Sequence, residues 1–200
     1  NGKYRTSLKI KIYTIMSFIS IYLWIRKNLL KIDDRSQVEI AISNGLKIGK
    51  NCEIKGECII DPGHCWLISI GDNVTLAPRV HILAHDASTK RILGYTLIGR
   101  VTIGNNVFIG AGSIILPNVK IGNNVIIGAG SVVSRSIPDN SVALGSPAKI
   151  ICSYEEFVEK KKKLFNESPR YSDEYVIGNI TEEKKKQMIE DLSNKIGFVI

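Results

Sequence analysis

From Ile48 onward an aliphatic residue returns at every sixth position. The series runs Ile48, Ile54 and Ile60, then after a slip Ile70, Leu76 and Ile82, then after a longer interruption Ile103, Ile109, Ile115, Ile121, Ile127 and Val133. Four places after a lead comes a second, smaller residue: Cys52, Cys58, Val74, Val80, Val107, Ser113, Val119, Val125, Ser131 and Ile137. Two inward positions in six fit a short strand followed by a corner, because a helix repeats at about 3.6 and an amphipathic strand at about 2. Asp72-Asn73, Asn105-Asn106 and Asn123-Asn124 fall where the corners should lie, and Asn, Asp and Gly tolerate the left-handed or tightly turned backbone a corner needs. Three such strands make one triangular coil of about 18 residues, and stacked coils bury a continuous aliphatic ladder. The pattern therefore predicts an all-β solenoid of about five coils.

Outside the repeat the pattern changes twice. Residues 8–32 contain an apolar-rich run, Ile12 to Ile25, with Lys9 and Lys11 before it and Arg26, Lys27 and Lys31 after it. The run is too short to span a bilayer and long enough for a helix that lies in an interface or packs on the main domain. After Pro147 the repeat stops, and the remainder has helix-like patches of mixed charge, in which acidic neighbours offset Lys160 to Lys163 and Lys184 to Lys186. The chain thus divides into a basic and apolar helical segment over 1–35, the solenoid over 36–150 and a C-terminal helical extension over 151–200.

Charge sharpens that division. The net +8 is uneven: eight Lys/Arg against two Asp over 1–35, ten against seven over 36–150, and nine against ten over 151–200. A nucleic-acid binder would carry its basic excess on the folded domain, so nucleic acid is not the expected partner. The basic residues bracket the apolar run instead, which points to peripheral contact with an anionic membrane surface through residues 8–32. Four cysteines and no cleavable signal peptide give no reason for a disulfide framework, and a reducing, cytoplasmic location follows as the expectation. Cys52 and Cys58 hold the small inward position of their repeats, where a thiol packs as a compact apolar group.

The run IGNNVFIGAGSIILPNVKIGNNVIIGAGSVV resembles the hexapeptide-repeat acyltransferases, whose fold is a left-handed parallel β-helix. The segment APRVHILAHD, followed by a loop and the IGNNVFIG rung, is similar to their maltose/galactoside O-acetyltransferase branch. The resemblance implies acetyl-CoA as acyl donor, a homotrimer, a sugar or glycan acceptor and no metal. It makes His85, the histidine that opens the loop between Ile82 and Ile103, the catalytic base. A neutral imidazole suits deprotonation of an attacking hydroxyl near pH 7. Asp86 is the adjacent carboxylate that could orient it. The resemblance also carries cofactor contacts onto Ala111, Leu116, Pro117, Ala129, Ser134, Arg135 and Lys149, with small side chains at Ala111 and Ala129 admitting the cofactor to the backbone and the cations suited to its phosphates. Phe108 stands where relatives often carry Trp, and Asp61 and Glu57 are the candidates for a polar residue on the acceptor side. His81 reads as a surface residue and His64 as a structural or partly exposed one. The function expected is acetyl-CoA-dependent O-acetylation of a sugar hydroxyl in a glycan or surface-polysaccharide intermediate. The alternatives are N-acetylation of a nucleotide-linked amino sugar, a metal-dependent hydratase using His64, His81 and His85, and a catalytically silent scaffold.

Overall fold

The computed structural model of the chain describes residues 36–200. Ala41–Ile200 form one compact unit and Asn1–Ile40 another, of which only the last few residues are described. The readings placed on residues 1–35, including the helix and its membrane contact, lie outside the described residues.

The six-residue pattern becomes successive passes through three sheet faces. The first turn is β1 (Lys47–Ile48), β2 (Glu53–Ile54) and β3 (Ile59–Ile60), and the second is β4 (Ile68–Ile70), β5 (Thr75–Leu76) and β6 (His81–Ile82). A short antiparallel ribbon, β7 (His85–Asp86) with β8 (Leu97–Ile98), leaves the stack here. The third turn is β9 (Val101–Ile103), β10 (Val107–Ile109) and β11 (Ile114–Ile115), and the fourth β12 (Lys120–Ile121), β13 (Val125–Ile127) and β14 (Val132–Val133). Corresponding strands pair in parallel, lead upon lead: Ile48 with Ile70, Ile70 with Ile103, and Ile103 with Ile121 along one face. Ile137 adds a fifth rung to that face by bridging to Ile121, and β15 (Ser141–Leu144) pairs in parallel with β13.

Burial follows the pattern. The leads from Ile70 to Val133 and the smaller second residues from Val74 to Ile137 are buried, including the hydroxyls of Ser113 and Ser131. Those hydroxyls both donate to the Gly128 carbonyl, at 3.0 and 2.6 Å, which removes the cost of burying them. Ile48, Cys52, Ile54, Cys58 and Ile60 are only partly buried, since the first turn forms one end of the stack among the described residues.

The far end departs from the six-residue rhythm. Lys149, expected in the last coil, opens β16 (Lys149–Ser153), which runs antiparallel to β15 with a bulge between Val142 and Ala143. The hairpin closes the stack and leads into a helix, α3 (Tyr154–Glu167), after α1 (Gln37–Ser43) and α2 (Lys90–Leu93) earlier in the chain. A reciprocal capping box starts α3: Ser153 Oγ accepts from the Glu156 amide and the Glu156 carboxylate accepts from the Ser153 amide. A further helix, α4 (Glu182–Asp191), and a pair of parallel strands, β17 (Arg170–Tyr171) and β18 (Phe198–Val199), complete the C-terminal part. No helix among the described residues is long and apolar enough to cross a membrane.

Candidate active site

The site lies where the repeat is interrupted. Leu83 continues the ladder by donating to the Ile115 carbonyl, and Gly99 returns the chain by donating to the Ala84 carbonyl, both at 2.9 Å. Between those anchors the β7–β8 ribbon projects outward, with His85 opposite Ile98. His85 is therefore fixed by the solenoid on one side and by a two-stranded ribbon on the other.

Asp61, one residue beyond β3, is the carboxylate that faces it. Asp61 is fully buried, and its Oδ2 accepts from His85 Nδ1 at 2.5 Å and from the Ala84 amide at 2.8 Å. Its Oδ1 accepts from the amides of Gly63 and His64, each at 3.0 Å. Burial would raise the carboxyl above its ordinary value, but the hydrogen bonds from His85, Ala84 and Gly63 and the charge of His85 outweigh it and hold Asp61 below the usual range. An ionised acceptor on Nδ1 places the proton there and leaves Nε2 with its lone pair free.

Asp86 is not that partner. As the residue after His85 on a strand its side chain faces the other way, and its carboxylate accepts from the Ser88 amide at 2.8 Å, capping a short turn over Ala87–Thr89. That amide bond holds Asp86 below the ordinary carboxylate value. The carboxylate that meets the His85 ring in this structure is thus Asp61, a residue expected on the acceptor side, and not Asp86.

A cleft of about 480 Å³ opens beside the imidazole, lined by Leu83, His85, Asp86, Ala87, Leu97, Leu116, Pro117 and Ser134. Three of the expected cofactor residues thus meet the expected base. Arg135 is exposed next to Ser134, and Lys149 is exposed at the start of β16. Ala111 lines a separate depression of about 450 Å³ with Gly56, Glu57, Pro78, Arg79 and Gly112. Ala129 is stacked on the same corner, where the Gly130 amide donates to the Ala111 carbonyl at 2.8 Å. Both alanines are exposed, so a ligand could reach the backbone there.

His64 is the residue whose place was least visible in the sequence. Its ring lies 5.1 Å from that of His85 and 5.3 Å from that of Trp66, centroid to centroid. His64, Asp61 and His85 each offer one potential ligand atom within 4.8 Å of the others, while His81 is not part of the group. The three histidines required for the hydratase reading therefore do not converge among the described residues. The 2.5 Å between His85 Nδ1 and Asp61 Oδ2 is a short charge-assisted hydrogen bond. Two ligands of a tetrahedral zinc, each about 2.0–2.1 Å from the metal, stand farther apart than that.

Comparison with known proteins places these features in company. The family "Bacterial transferase hexapeptide (six repeats)" matches residues 100–135. Protein CapG of Staphylococcus aureus is 39% identical over 160 residues, which cover 73% of this chain and 93% of that protein. A maltose O-acetyltransferase from Clostridium difficile 630 shares 42% identity at a TM-score of 0.50, over 55% of this chain and 59% of that one. A hexapeptide-repeat acetyltransferase from Vibrio cholerae, solved in complex with acetyl coenzyme A, shares 27% identity at a TM-score of 0.50, over 55% of this chain and 61% of that one. The chain thus spans about three-fifths of each of these two solved structures.

Proposed function

This chain is an acyltransferase of the bacterial hexapeptide-repeat family, and from that premise we propose that it transfers an acetyl group from acetyl-CoA to a hydroxyl of a sugar or glycan acceptor, with His85 as general base. The observation that carries the reading is the buried Asp61 carboxylate on His85 Nδ1, which aims the basic Nε2 away from the solenoid beside a cleft containing Leu116, Pro117 and Ser134. Family membership implies that the parallel β-helix coils in the left-handed sense.

Each residue has a defined task. Nε2 of His85 takes the proton of the acceptor hydroxyl as its oxygen attacks the thioester carbonyl; the new C–O bond forms, the C–S bond breaks, and the imidazolium returns the proton to the departing sulfur. Asp61 does not exchange that proton; it fixes the tautomer and stabilises the imidazolium in passing. Leu116, Pro117 and Ser134 border the donor's path, Ala111 and Ala129 admit it to the backbone, and Arg135 and Lys149 supply cations for its phosphates. A homotrimer provides the second wall of the donor groove. The bracketed charge of residues 8–32 supports reversible contact with an anionic leaflet at about 1 kcal/mol per cation, which would bring the enzyme to surface-polysaccharide precursors.

The test is release of free thiol from acetyl-CoA across hydroxyl-bearing and amino-sugar acceptors. Turnover with hydroxyl acceptors, and a His85→Asn variant whose kcat is lower by about 10²–10⁴, is the expected result. Preference for the amino sugars would select N-acetylation instead, and near-normal turnover of His85→Asn would remove it from the mechanism.

A further inference from the structure

We propose that His64 and Trp66 form the acceptor subsite, and that they select a hexopyranose bearing a free hydroxyl next to the one acylated. The inference rests on the acetyltransferase reading above and assigns the side of His85 away from the donor residues. Trp66, His64 and His85 form a row of rings tilted at 48° and 45° to their neighbours.

Trp66 is 56% exposed although it sits in a turn, Cys65–Leu67, whose first residue is fully buried. The Leu67 amide donates to the His64 carbonyl at 2.9 Å, and the His64 amide is held by Asp61. An indole presented to solvent on so well-anchored a backbone is a preorganised flat surface. It matches the apolar C–H face of a pyranose ring, and an acyclic acceptor would leave it uncovered.

His64 supplies the polar contact. Its Nδ1 is shielded from solvent and has no hydrogen-bond partner, and it faces Asp61 Oδ1 from 3.9 Å, too far for a hydrogen bond. An ionised oxygen on that side favours the proton on Nδ1. The lone pair is then on Nε2, and with the side chain 29% exposed the ring is reachable from solvent. One buried carboxylate thereby turns two imidazoles the same way, each with Nε2 as acceptor. The first takes the proton of the reacting hydroxyl, and the second accepts a hydrogen bond from its neighbour on the sugar ring. A site that pairs a hydroxyl in this way discriminates strongly against an analogue lacking it.

The experiment measures acetyl transfer to methyl glucoside, galactoside and mannoside and to their monodeoxy derivatives, with acetyl-CoA affinity followed separately by calorimetry. Trp66→Ala is expected to raise the acceptor KM by about ten-fold or more with acetyl-CoA affinity unchanged, and Trp66→Phe to recover most of the loss. Removing the hydroxyl next to the acylated one is expected to lower kcat/KM by about ten-fold in the wild type and by much less in His64→Ala, as residues that share one interaction do. Saturation-transfer NMR on the wild-type protein supplies a second measurement independent of folding in the variants, with ring C–H protons of the bound glycoside as the expected receivers. An acceptor KM unchanged in Trp66→Ala, or equal sensitivity of wild type and His64→Ala to the missing hydroxyl, overturns the subsite. Acetyl transfer confined to acceptors without a pyranose ring also overturns it while leaving the acetyltransferase reading intact; that reading fails separately if His85→Asn keeps its turnover.

Discussion

Asp61 accepts four hydrogen bonds with no exposure to solvent, and under the proposed mechanism one side chain bears on both catalysis and acid stability. Asp61→Asn keeps the shape but removes the charge that stabilises the imidazolium, so kcat should fall by about 10²-fold or more. Asp86→Ala, which removes only the cap on Ser88, should cost far less activity; an equal loss of kcat in both variants would reinstate Asp86. The acid dependence has a definite sign. Because the folded carboxyl lies below its unfolded value, its contribution is present above about pH 4 and is lost as the pH falls through the lower folded value. Urea unfolding of wild type and Asp61→Asn should therefore show a stability gap that is constant near pH 6 and narrows in acid. The break in the repeat and the resemblance single out His85, whereas its hydrogen bond to Asp61 is hard to read from the sequence because Asp61 lies 24 residues earlier. The information was nevertheless present in the register: Ile60 stacks on Ile82, so the residue after Ile60 emerges beside the chain leading to His85.

The corners decide how well the turns stack. Asn51, Asn73, Asn106, Asn124 and Asn140 all have positive φ, between 52° and 56°, and each of the first four donates a side-chain amide hydrogen bond to the next at 2.8–3.2 Å. Such a residue satisfies the left-handed backbone and the ladder together. Asn106→Ala loses both, and a non-glycine residue without a helpful side chain costs about 1–2 kcal/mol in that conformation. Asn106→Gly restores the backbone and loses only the hydrogen bonds, so the denaturant midpoint should order wild type above Asn106→Gly above Asn106→Ala. The neighbouring glycines have another role. A Cβ on Gly104 would sit 2.7 Å from the Gly122 carbonyl of the next turn, so Gly104→Ala forces the turns apart at about 1–3 kcal/mol. Most of this was readable, since a six-residue period specifies both inward positions and corner residues. The β15–β16 hairpin was not, because an antiparallel closing strand with a bulge belongs to no repeat. The Ser153–Glu156 box that starts α3 is a local motif and needs no tertiary context to be read.

For the whole molecule the question is what the exposed loop beside His85 meets. Ala111 and Ala129 lie exposed on an outer corner. The ribbon that carries His85 continues into a loop with Ile92 84% and Tyr95 80% exposed, and with Leu93, Leu97 and Ile98 exposed as well. Several large apolar groups together on one short projecting loop make it a candidate association surface. A second copy of the chain is the economical cover, because threefold closure would bury the loop of every subunit in the same step. Sedimentation at micromolar concentration should then give a species of three chains. Ile92→Glu, and Tyr95→Glu independently, should shift it toward single chains and lower acetyl transfer. The far-ultraviolet spectrum of the solenoid should stay unchanged, since neither side chain belongs to the buried ladder. A chain that sediments as a monomer and retains full transferase activity would show that one subunit suffices for the site.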